Sequence, residues 1–152
     1  MPDTGGTTSV ENAFRELELL LANPKRAFDP TAFPDPAALT VGFLDIANVL
    51  ALMVNRQHQV SPASVLSDAL VDAREQLPNV TEDKFNETFT MSLRLLAGKA
   101  PKKPGRGHLL VAAALSANLL IGLALASDMD SLYLLDRVRD GLSDASFKAS
   151  RP

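Results

Sequence analysis

Residues 109–126, LLVAAALSANLLIGLALA, run for eighteen positions without a charged side chain. A helix apolar on every side is either the centre of a helical protein or a membrane span. The basic residues before it, with Asp128 and Asp130 after it, match a span whose N-terminal side is cytoplasmic. Its length is at the lower limit for crossing a bilayer, however, six of its residues are alanine, and Asn118 lies near the midpoint. An amide there is unfavourable in hydrocarbon, so a core helix over about 108–127, buried on all sides, is the preferred reading and membrane association is disfavoured.

The rest of the chain supplies partners for such a helix. Thr8 and Glu11 have the spacing of a capping box. Val10, Ala13, Phe14, Leu17, Leu20 and Leu21 then recur at helical steps until Asn23-Pro24. Residues 24–36 hold four prolines and two phenylalanines, the pattern of a loop pinned to a core. Asp35-Pro36 and Ser61-Pro62 each place a capping side chain before a proline at the first helical position, predicting helices over 36–54 and 62–76. Thr81 starts a fourth, closed by Gly98, with Phe85, Phe89, Leu93 and Leu96 on its buried face. A short sixth helix is expected over about 128–139, with Gly141 as its stop. No alternating β-branched pattern or hairpin dipeptide competes. The expected fold is all-α: a compact bundle of five to six helices around a central apolar helix, with residues 1–8 a polar leader, 9–141 one domain and 142–152 a flexible tail.

Composition narrows the functions. The 152 residues are 46% hydrophobic and contain no cysteine, which excludes disulfide scaffolds, thiolate metal sites and cysteine nucleophiles. A net charge of −3 gives no global attraction to nucleic acid or anionic lipid. The start, MPDTGG, lacks the basic and apolar regions of a signal peptide, and a cytoplasmic location is expected.

Local constellations give little support to catalysis. Asp68, Asp72 and Glu75 share a helix face, but a carboxylate metal site needs oxygen ligands from at least two helices, and Glu82, Asp83 and Glu87 do not repeat the spacing. A solvated acidic face is the simpler account. His58 and His108 belong to no metal-binding or catalytic pattern and suit loop hydrogen bonding and helix-end contacts. Neither a nucleophile elbow nor a glycine-rich phosphate loop is present. No catalytic residue, metal ligand or cofactor is therefore expected.

Two features suggest binding instead. Lys99, Lys102, Lys103 and Arg106 concentrate positive charge between the fourth and fifth helices, where they could contact phosphates or a partner. Against base readout, the helix before them starts with Glu82 and Asp83 and carries Glu87. Within the central helix, Ala114, Asn118, Gly122 and Ala126 form a ridge of small side chains at spacing four, which lets another helix approach closely. Helix two is the natural partner, with Asn48 or Asp45 available to pair with Asn118. The expected function is a non-enzymatic helical interaction protein: an adaptor, assembly factor or small subunit, self-associating or bound to a protein partner. Its competitor is a nucleic-acid-associated protein using the loop 99–106.

Overall fold

Asp35 and Ser61 start helices as their sequence context predicts. The Asp35 carboxylate accepts the Ala38 N–H at 3.1 Å, and Ser61 Oγ accepts the Ser64 N–H at 3.2 Å, each with proline next in the chain. A computed structural model describes residues 5–23, 35–99 and 104–143. They form α1 (Gly5–Ala22), α2 (Pro36–His58), α3 (Pro62–Gln76), α4 (Glu82–Leu96), α5 (Arg106–Ala126) and α6 (Ser131–Ser143). Among the described residues there is no strand, and the helices pack as an all-α bundle around α5. Of the expected leader, residues 1–4 lie outside the described residues and 5–8 are helical, while most of the proline-punctuated loop and of the tail lie outside them.

Helix ends show where local signals suffice. Gly98 adopts φ +77°, and two bonds close α4: Gly98 N–H to Leu95 O at 3.0 Å and Lys99 N–H to Arg94 O at 2.8 Å. This is the paired-bond stop that glycine favours. Three expectations need correction. Helix α1 begins at Gly5, so Thr8 lies within it; extending a formed helix by a residue costs little, and the capping box is not its start. Thr81 precedes α4 but makes no side-chain cap; its carbonyl accepts the Lys84 N–H instead. Gly141 lies inside α6, which starts at Ser131. The chain between α5 and α6 turns because Asp128 adopts φ 53° and repeats the stop seen at Gly98, with Asp128 N–H to Leu125 O and Met129 N–H to Ala124 O. Met129 packs against the core, and Asp130 then caps α6 by accepting the Tyr133 N–H at 3.3 Å.

Helices α2 and α5 make the most extensive contact in the bundle. Phe43, Leu44, Ile46 and Leu50 from α2 are fully buried, as are Leu109, Leu115 and Leu120 from α5. Removing side chains of this size from water stabilises by roughly 1.5–3 kcal/mol each, before entropy costs. Ala13, Phe14 and Leu17 bury α1 on the predicted face. On α4 the most buried line is Phe85, Thr88, Met91 and Ser92, while Phe89, Leu93 and Leu96 are only partly covered. Small polar side chains turn inward because Ser92 pairs with Asn48: Ser92 Oγ donates to Asn48 Oδ1 at 2.6 Å, and Asn48 Nδ2 donates to Ser92 O at 3.2 Å. The central helix does not bury every side. From Leu109 to Leu120 its residues are buried or partly so, but Ile121, Gly122, Leu125 and Ala126 are exposed.

Candidate functional site

The exposed side of α5 is flanked by two grooves. The first, of about 640 Å³, lies between α1, the end of α3 and α5; Leu17, Leu20, Leu21, Leu110, Ala114 and Ile121 form its apolar walls. The second, of about 410 Å³, lies between the end of α2, α3 and α5, with Val54, His58, Asp68, Asp72, Gly122 and Ala126 around it. Asn118 contributes to both. Between and beside them, Ile121 and Leu125 project from α5 at 42% and 78% exposure.

The small-residue ridge follows this surface. Ala114 and Asn118 are half-buried, and Gly122 and Ala126 are exposed. A β-carbon added at Gly122 would meet nothing within 4 Å among the described residues, so none of the described helices approaches closely there. Helix α2 is the main partner of α5, and its last turns line one groove together with Asn118, Gly122 and Ala126. Asn118 pairs with neither Asn48 nor Asp45: its Oδ1 accepts from Gln76 Nε2 of α3 at 3.0 Å. Its Nδ2 is shielded from solvent and has no hydrogen-bond partner. An amide group left in that state costs about 1–3 kcal/mol relative to a paired one.

The basic residues are less gathered. Lys99 is exposed directly after the stop of α4. Lys102 and Lys103 lie outside the described residues, and Arg106 opens α5 with a side chain that is also outside them. Close by, His108 is buried against Glu87 of α4, with Nε2 at 2.7 Å from Oε1, while its Nδ1 accepts the Gly105 N–H at 2.8 Å. A helix-end role for this histidine was legible in the sequence; its partner Glu87, twenty-one positions away, was not. His58 is exposed at the end of α2.

Asp68, Asp72 and Glu75 are all exposed on α3. Among the described residues no group of three His, Asp or Glu side chains is placed to share an ion. The polar clusters that do form tie helices together. Arg74 binds Glu82 at 2.7 Å and lies over Phe85, joining α3 to α4. Arg139 binds Glu18 at 3.0 Å and covers Phe14 at 4.9 Å from the ring centre, joining α6 to α1.

Fold and surface together define an all-α bundle with an uncharged, partly uncovered central helix. No known family model matches the chain, and neither a curated protein nor a solved structure shows significant similarity to it.

Proposed function

We propose that this is a non-enzymatic, cytoplasmic interaction protein, an adaptor, assembly factor or small subunit, that associates with itself or a protein partner through the open side of α5. The observation that carries the reading is the coincidence, on one uncharged helix face, of protruding Ile121 and Leu125 with the unfilled space at Gly122. Apolar protrusions beside a small-residue depression are the elements of close helix packing. Asn118, on the same ridge, lines the grooves on both sides of this face.

Helices α2 and α5 are both long and apolar enough to cross a membrane, with mean hydropathy 2.0 and 2.3 over their apolar stretches, and 56% of each stretch is buried inside the chain. Their arrangement supports a bundle in water. The last turns of both line the second groove, and they pack extensively, so both approach that end in the same direction. Two parallel spans would require the intervening chain to cross back. That chain forms α3 and α4, which carry Asp68, Asp72, Arg74 and Glu75, then Glu82, Asp83, Lys84 and Glu87. Charges at such density are strongly unfavourable in hydrocarbon.

Absolute mass measured by light scattering on purified protein tests the proposal. The wild type should run above the mass of one chain or carry a stoichiometric protein partner, and Leu125→Glu should reduce it to a single chain with an unchanged helical signal. A wild-type protein that is monomeric and partner-free at all accessible concentrations would remove the reading. Nucleic acid in the same peak, lost after substitution of Lys99, Lys102, Lys103 and Arg106 by alanine, would favour phosphate contact through the 99–106 connection.

A further inference from the structure

His108 is 6% exposed and occupies the third position of α5, where it closes the start of the helix from within. Its Nδ1 accepts the Gly105 N–H at 2.8 Å, and its Nε2 is 2.7 Å from Glu87 Oε1. A ring that accepts at Nδ1 carries its single proton on Nε2, so Nε2–H donates to the Glu87 carboxylate. Lys84 approaches from the same face of α4, with Nζ 3.8 Å from that carboxylate oxygen and its methylenes over Gly107. Glu87 and Lys84 of α4 both bring charged groups to this junction.

We infer that protonation of His108 works as a switch that uncaps the first turn of α5 at Gly105 while keeping α4 and α5 joined. A second proton must go to Nδ1, the atom that holds the Gly105 N–H. Two donors then face each other and that bond is lost. The new positive charge also sits at the positive end of the helix dipole. On the opposite edge of the ring the change is favourable, because Nε2–H to Glu87 becomes a charge-assisted pair of imidazolium and carboxylate. Loss and gain act at different places. The cap that fixes the chain where the basic connection joins α5 is released, and the contact between the helices is strengthened. Acidification therefore loosens the start of α5 without melting the bundle.

Nitrogen NMR and amide exchange on the full chain test this directly. At mildly alkaline pH the ring should show a protonated Nε2 and a bare Nδ1. Lowering the pH from about 8 to about 5 spans the range in which histidines commonly change charge. Across it, protection of the Gly105 amide, corrected for intrinsic exchange, should fall by about threefold to tenfold, the effect of one hydrogen bond. Amides in the middle of α4 and α5 should keep their protection. His108→Gln should abolish the response. Glu87→Gln keeps the Nδ1 cap but removes the carboxylate that pairs with the charged ring, so acidification should then lower protection at the α4–α5 contact as well as at Gly105; this variant serves if His108→Gln fails to fold. A proton on Nδ1 at alkaline pH, Gly105 protection that does not change with pH, or an undiminished response in His108→Gln would overturn the inference.

Discussion

Asp128 holds a backbone conformation, φ 53°, that costs most side chains about 1–2 kcal/mol. It serves as the stop of α5 in the way that Gly98 serves α4. Asp128→Gly should therefore stabilise the protein by up to about 1 kcal/mol, offset in part by the greater freedom of glycine in the unfolded chain. Thermal melting checks this; a rise of about 2–4 °C is expected per kcal/mol in a chain of this size. Ser92 gives the opposite sign. Ser92→Ala leaves the buried Asn48 Oδ1 without its 2.6 Å donor and should cost about 1–3 kcal/mol, read as a lower urea midpoint at unchanged slope. Proline-linked caps at Asp35 and Ser61 were readable in the sequence because partner and cap lie within one turn. The Asn48–Ser92 pair was not, since forty-four positions separate two residues that look like ordinary polar interruptions.

Helix α6 buries Leu134, Leu135 and Val138, and one polar side chain ties it to α1. Arg139 reaches Glu18 at 3.0 Å and Asp136 at 3.3 Å, and stacks on Phe14. Its ion pairs are partly exposed and each contributes little, about 0–1 kcal/mol, whereas the stacked guanidinium contributes about 0.5–1 kcal/mol and covers the core. Arg139→Ala should lower overall stability by only about 1 kcal/mol but should release α6 first. Hydrogen exchange would show this as lost protection over residues 131–140 with α2 and α5 unaffected, and uniform loss throughout the chain would contradict it. At this level the sequence and structure agree on the number and approximate positions of the helices. They differ at α4, where the apolar periodicity suggested a face through Phe89 and Leu93, whereas Ser92 turns inward to pair with Asn48 of α2 and the buried Thr88 hydroxyl donates to the Lys84 carbonyl.

For the whole molecule the decisive question is what meets α5 on its open side. If the bundle lives in water, the protein should remain in the supernatant after cell disruption without detergent. Recovery only in membranes resistant to alkaline washing would instead mean that lipid meets Ile121 and Leu125. Association and stability should also separate in Gly122→Leu. Nothing lies within 4 Å of an added β-carbon there, so melting of the isolated chain should change little, while assembly through that face should be disrupted.

The all-α class, the centrality of residues 109–126 and the main helix punctuation follow from periodicity, prolines and caps, signals that act over a few residues. The ridge of Ala114, Asn118, Gly122 and Ala126 was equally visible, but not its direction. A small-residue stripe fits another helix of the same chain as well as it fits a second molecule. Which faces of α5 are covered depends on how α2, α3, α4 and α6 share its circumference, and that is a property of the packed bundle. Packing buried Leu115 and Leu120, gave Asn118 to Gln76, and left Gly122 beside an open groove. Burial stops on one side of the last turns, and only the three-dimensional arrangement selected Ile121, Gly122, Leu125 and Ala126 as the residues left exposed.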